Sequence, residues 1–242
     1  MTSDPNNDAL VIVSGPFTFQ PSTAMIGKRL KDEDIYVSPV AEHMVKVLPF
    51  TIIPINSTTA QVSLVARMSE ASVTAFGGIA EISRGAECGM NHPAISRNAT
   101  PDAIPILDHL DVDRYYVQHS GWYIDPSLVS ADVLKPTVLY RTVPKLLVRF
   151  LSPTLVVGID EEGFVSTNLL YHIKCSGDTY FLCAVLSCRL MDLWYRTAFQ
   201  NEEVKFPHVQ KSHLERIPIR RINFTTPQAE RGRLVTQAKR LY

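Results

Sequence analysis

Lys145-Leu146-Leu147-Val148-Arg149-Phe150-Leu151, then Leu155-Val156-Val157-Gly158-Ile159, then Asp160-Glu161-Glu162-Gly163: this stretch decides the fold. Two short runs rich in β-branched and large apolar residues are separated by Ser-Pro-Thr and closed by an acidic turn ending in glycine. That is the pattern of neighbouring strands, not of a helix. Downstream, Phe164 to Ile173 predicts a further strand. Upstream, Thr137 to Arg141 predicts another.

Helical periodicity begins only after Ser176-Gly177-Asp178. Within Tyr180 to Phe199, Leu182, Val185, Leu186, Leu190, Leu193 and Trp194 recur near i, i+3, i+4, leaving Arg189 and Arg196 off the stripe. Pro207 interrupts the pattern, and Val209 to Ile217 predicts a short strand or turn. Thr226-Pro227 supplies an N-cap and an N1 proline for a terminal helix to about Tyr242. Toward the N-terminus, Leu10 to Val13 predicts a strand, and Met44 to Ile55 and Gln61 to Arg67 predict two more joined by Asn56-Ser57-Thr58. Ile79 to Gly89 predicts a short helix or turn, and Ile104 to Leu107 a short apolar segment. Arg114 to Gln118 and Gly121 to Ile124 predict strands, with a helix or loop over Pro126 to Leu134. The expected class is α+β: mostly β, with a long helix after the main strands and a C-terminal helix. The expected divisions are a β-rich segment 1–75 (joining a catalytic part elsewhere), a main domain 76–224 and a basic helix 225–242.

Of the 242 residues, 45% are hydrophobic and 20% charged, which excludes a wholly disordered chain. No apolar run approaches the roughly 18–20 residues of a membrane-spanning helix. Met1 to Asp8 lacks the features of a secretion signal, so the expected setting is cytoplasmic. Cys88, Cys175, Cys183 and Cys188 form no Cys-x-x-Cys pair, so no metal site and no cofactor are expected. Net charge is zero but unevenly spread. Residues 1–134 carry 8 Lys/Arg against 15 Asp/Glu, whereas residues 189–242 carry 11 against 5. Such asymmetry fits either a polyanion-facing C-terminal part or basic and acidic segments packed on one another.

Four ordered blocks carry a resemblance. They are Ile79 to Asn91; Ile104-Pro105-Ile106-Leu107 through His119-Ser120-Gly121-Trp122-Tyr123-Ile124; Lys135-Pro136 to Thr142 with the acidic turn and Ser166-Thr167-Asn168 to Ile173; and Tyr180 to Ile219. In this order, over about residues 75–224, the chain resembles the C-terminal specificity domain of TaqI-like adenine-N6 DNA methyltransferases, which also occurs in fused type II restriction-modification enzymes. Two positions depart from the pattern: Leu186-Ser187 stands where the family has Asn-Ser, and His109 lies where a glycine is usual. The resemblance implies duplex-DNA recognition beside a methyltransferase domain or subunit. The alternative is a structural or interaction domain of such an assembly, without DNA contact. The family's chemistry uses an Asn-Pro-Pro-Tyr-type tetrapeptide, and neither Asn-Pro-Pro nor Asp-Pro-Pro occurs. Pro101-Asp102 and Glu203-Val204-Lys205 stand too far apart for a metal-dependent nuclease. The chain is therefore expected not to be an enzyme.

DNA affinity derives mainly from cations on phosphates, and sequence choice from side chains at base edges. The expected contacts are Arg84, beside glycines that admit close backbone approach, Lys135, Arg141, Lys145 and Arg149 around the central strands, Asn168, and Lys205, His208 and Lys211 after the long helix. Asn91, Gln200 and Asn201 are the expected base readers, because a carboxamide can form two hydrogen bonds to adenine. Trp122, Tyr123, Trp194 and Tyr195 are assigned to the core, and His119-Ser120 to a structural pair. For the terminal helix, with Arg231, Arg233, Lys239 and Arg240, docking to a partner is preferred over a solvated face or a phosphate contact.

Overall fold

The computed structural model describes residues 10–13, 23–29, 35–41, 57–70, 73–134, 138–199, 208–220 and 228–241. The chain divides into two compact units: Met1–Val73 with Leu193–Lys205, and Thr74–Asp192 with Phe206–Tyr242.

The first unit holds an antiparallel meander of β1 (Leu10–Val13), β2 (Thr23–Arg29) and β3 (Ile35–Ala41), with Leu10 opposite Lys28 and Thr23 opposite Ala41. The expected strand over Gln61 to Arg67 is instead part of helix α1 (Thr59–Glu70). The reason is a reciprocal cap. The Gln61 side chain accepts from the Thr58 N–H at 2.8 Å, and the Thr58 hydroxyl accepts from the Gln61 N–H at 3.3 Å. Val62, Val65 and Ala66 then fall on one buried face at helical spacing. The Trp194 indole N–H donates to the Ser69 hydroxyl at 3.0 Å. Met44 to Ile55 lies outside the described residues.

The second unit is built on a four-stranded antiparallel sheet in the order β10-β9-β12-β5, using β5 (Ala80–Arg84), β9 (Lys145–Arg149), β10 (Val157–Asp160) and β12 (Leu170–Cys175). A second sheet runs β11-β7-β8-β6, from β6 (Ile95–Ser96), β7 (Ile104–Leu107), β8 (Tyr123–Ile124) and β11 (Val165–Ser166). A two-stranded pair joins β4 (Val73–Ala75) and β13 (Pro218–Arg220). Leu107, Val112, Leu147 and Leu170 form one core cluster. Ala86, Cys88, Ala94, Ile95, Ile106 and Ile124 form another. The fold is α+β with mixed sheets, as expected, and the strands of the opening stretch lie inside it.

Several local readings change. Ile79 to Gly89 contains a strand, β5, because its backbone is paired along β12. Phe164 to Ile173 is divided between β11 and β12, which belong to different sheets. Arg114 to Gln118 makes only isolated bridges, with Tyr115 at φ +76°. Pro126 to Leu134 folds as a 3-10 turn (Pro126–Leu128) and α2 (Ala131–Leu134). Thr137 to Arg141 was expected extended, yet Val138–Arg141 is a helical turn, α3. Tertiary anchoring overrides propensity there: Leu139 and Tyr140 are buried, and the Tyr140 hydroxyl donates to the Arg84 carbonyl at 3.0 Å.

The long helix is two helices, α4 (Thr179–Leu186) and α5 (Arg189–Phe199). Asp178 caps the first by accepting from the Phe181 N–H at 2.8 Å. Arg114 fixes the break. One guanidinium nitrogen donates to the Ser187 carbonyl at 2.9 Å, another pairs with Asp192, and Asp192 also accepts from the Leu155 N–H at 3.1 Å. The segment after His208 holds one helical turn, α6 (Lys211–Leu214). The terminal helix is α7 (Gln228–Leu241); it packs on α4, with the Lys239 ammonium 4.9 Å from the centre of the Tyr180 ring.

Candidate nucleic-acid interface

Strand register brings the candidate residues together. Arg84 ends β5 opposite Tyr171 in β12, and Tyr171 lies opposite Val148 in β9, two residues before Phe150. Three ends of the sheet thus meet at one place. The chain returns there through Leu151, bridged to His208, and the Val209 N–H donates to the Phe150 carbonyl at 2.7 Å.

Phe150 is the centre of the cluster. The Arg84 guanidinium carbon sits 4.1 Å from its ring centre and 5.9 Å from that of Tyr171. The His208 ring stands 5.3 Å from Phe150, and the Phe150 and Tyr171 rings meet edge-on at 6.1 Å. Arg84 Nε donates to the Asn168 carbonyl at 3.0 Å. Burial raises the Tyr171 phenol above its usual value, opposed by the Arg84 charge and a hydrogen bond with the Lys211 backbone. His213, in the same turn, is pushed down to about 4 by burial, with His208 adding to the effect.

The structure therefore gathers Arg84, Asn168, His208 and Lys211 around a pair of aromatic rings. Phe150 and Tyr171 were missed as site residues. An arginine followed by an aromatic at a strand end (Arg149-Phe150) is the local signal, but their pairing with Arg84 spans more than sixty residues and is not local. Asn91 is exposed in a turn close in sequence to Cys88, whose carbonyl accepts from the Asn168 N–H at 3.3 Å. Arg149 is half-buried, with Nε donating to the Val112 carbonyl at 2.6 Å. Arg141 is exposed at the end of α3. Lys135, Gln200, Asn201 and Lys205 lie outside the described residues.

Lys145 is a correction. Its side chain is 0% exposed, its ammonium donates to the Tyr140 carbonyl at 2.6 Å, and it pairs with Asp160, so it is closed to any phosphate. Burial pulls this lysine below its usual value, against the opposing pull of Asp160. Asp160 also accepts the N–H groups of Glu162, Gly163 and Phe164, each at 2.9 Å. The acidic turn predicted from sequence is thus organised from inside by its first residue. Beside it, His172 is fully buried and bonded through Nε2 to the Ser166 hydroxyl at 2.7 Å; burial holds it neutral, its proton affinity well below the usual range. His119 Nε2 lies 2.6 Å from the Trp122 carbonyl, a structural contact. Trp194 and Tyr195 are buried, whereas Trp122 and Tyr123 are half-buried.

Residues 104–219 match the sequence profile of the TaqI-like C-terminal specificity domain. Over that segment the chain is similar to this family. The matched segment begins after Arg84 and Asn91, which belong to the same compact unit as most of it. No curated protein matches the chain. Two solved structures are similar at 12% identity and a TM-score of 0.46. One is an HsdS subunit from Thermoanaerobacter tengcongensis, with 75% of this chain and 44% of that one covered. The other is from a type I R-M system described by its complex assembly and conformational transition, with 70% and 37% covered. The chain spans less than half the length of either.

Proposed function

We propose that this chain recognises duplex DNA sequence for an adenine-N6 methyltransferase, held on a fused domain or a separate subunit, and carries out no covalent step itself. The observation that carries the reading is the specificity-domain match over residues 104–219. The cationic and aromatic cluster at the sheet end supports it, because duplex binding needs cations presented to phosphates and polar groups near base edges. Arg84 supplies charge there, Lys211 stands at its edge with its ammonium 3.7 Å from the Glu215 carboxylate, and Asn91 presents an exposed carboxamide on the neighbouring turn. Gln200 and Asn201 belong to the same proposal as base readers. The absence of an Asn-Pro-Pro sequence supports leaving methyl transfer to the partner.

Fluorescence anisotropy with labelled duplexes at several salt concentrations tests this. The expected result is binding that weakens on a log–log slope of about −0.9 for each phosphate contacted, with one sequence preferred from a random pool. Absence of duplex binding, or binding indifferent to salt, refutes it.

A further inference from the structure

We propose that Arg84 is a preset phosphate anchor: its guanidinium is fixed on the Phe150 ring so that its open edge receives one backbone phosphate of the duplex. The proposal rests on the DNA-recognition reading above and adds a residue outside the matched family segment.

The arginines of this unit use their donors in different ways. Arg114 spends two guanidinium nitrogens on protein acceptors, the Ser187 carbonyl and Asp192. Arg97 stacks on Trp122 at 4.4 Å but gives Nη1 to the Ser120 carbonyl at 2.8 Å. Among the described residues, Arg84 and Arg149 each engage Nε alone, on the Asn168 and Val112 carbonyls, no carboxylate pairs with Arg84, and of the two it is Arg84 that stacks on an aromatic ring. Its two terminal nitrogens keep, among the described residues, their four N–H donors, which lie in one plane as the fork that matches two phosphate oxygens.

That fork does not wander. The Nε bond and the stack on Phe150 fix the plane of the guanidinium, while the donation from the Tyr140 hydroxyl to the Arg84 carbonyl fixes its backbone. Gly85 locks the next residue, because a Cβ there would stand 2.0 Å from the Thr167 carbonyl oxygen. An arginine ordered before binding loses less side-chain freedom when the phosphate arrives. The His208 ring and Lys211 bound the same patch, and Phe150 acts as a positioning residue for Arg84.

The test is salt-dependent anisotropy on the full chain, with Arg84→Ala, Arg84→Gln, Arg84→Lys, Phe150→Leu and, as a control, Arg97→Ala; circular dichroism verifies folding. Arg84→Ala is expected to reduce the log–log salt slope by about 0.9 and to weaken every duplex by the same factor. Arg84→Gln, shorter and neutral but with a polar end at the level of Nε, gives the same slope if the alanine variant does not fold. Arg84→Lys is expected to keep the slope but bind less tightly, having lost the fork. Phe150→Leu is expected to keep the slope and lose affinity, and Arg97→Ala to keep both. If the unaltered chain binds no duplex, the DNA-recognition reading fails. If it binds and the neutral Arg84 variants keep its slope, or lose affinity for one sequence only, the anchor alone is overturned. Unchanged affinity in Phe150→Leu, or an equal slope loss in Arg97→Ala, overturns it as well.

Discussion

Breaking the Lys145–Asp160 pair from each side should cost unequal amounts, and the structure gives the order. Both side chains are 0% exposed, so deleting either partner leaves the other without its counter-charge. Such losses generally cost about 3–5 kcal/mol. After Lys145→Met, Asp160 still accepts three backbone N–H groups at 2.9 Å, which go on solvating the carboxylate, so the cost should fall near about 3 kcal/mol. After Asp160→Ala, the ammonium keeps only the Tyr140 carbonyl and the turn loses all three acceptances, so the cost should approach about 5 kcal/mol. At about 2–4 °C per kcal/mol for a domain of this size, the melting temperature should fall by roughly 6–12 °C and 10–20 °C. The double variant removes both charges and should cost about 1–3 kcal/mol less than the sum. Urea unfolding followed by tryptophan fluorescence reads all three. Equal single-variant costs, Lys145→Met as the worse change, or strict additivity would refute the reasoning.

Gly85→Ala should destabilise the fold by about 3 kcal/mol, because the added methyl meets the Thr167 carbonyl at 2.0 Å and the Ser166 hydroxyl at 2.4 Å. Gly78→Ala, where nothing lies within 4 Å, should leave the melting temperature nearly unchanged, and equal effects would discard the steric account. Acidification should also destabilise the protein. His213 titrates near 4 when folded, against 6.5 for the free side chain, so between those values the unfolded chain takes up a proton that the fold refuses. Stability is full above about pH 6.5 and drains as the pH falls toward 4, and buried His172 adds the same sign. Melting temperatures of the native chain and His213→Asn across pH 4–7.5 should converge at the acid end; parallel curves would count against it.

The strands at Leu10–Val13, Tyr123–Ile124, Lys145–Arg149 and Val157–Asp160 were legible because apolar runs and turn residues are local signals. Misreadings arose where one residue's partner decided the outcome. Gln61 to Arg67 looks β-prone until Thr58 and Gln61 are seen to cap each other. Val138-Leu139-Tyr140 looks like a strand, yet Tyr140 is needed beneath Arg84 and folds the segment into a helical turn. Arg84 stands out in the sequence by the glycine beside it, and the structure gives that glycine the Thr167 carbonyl as its close neighbour. Lys145 could not be told from Arg141 by sequence. Both are cations beside strands, and only the three-dimensional position of Asp160 makes one of them internal.

Tyr140 touches both regions at once: its hydroxyl holds the Arg84 carbonyl, and its own carbonyl takes the Lys145 ammonium. A random-mutagenesis screen scored by retention on a duplex column would therefore return changes at Asp160, Lys145 and Tyr140 among its weakest binders, although no nucleotide reaches the buried lysine. Ranking the hits by thermal midpoint before ranking them by affinity would separate residues that hold the platform from residues that meet the ligand.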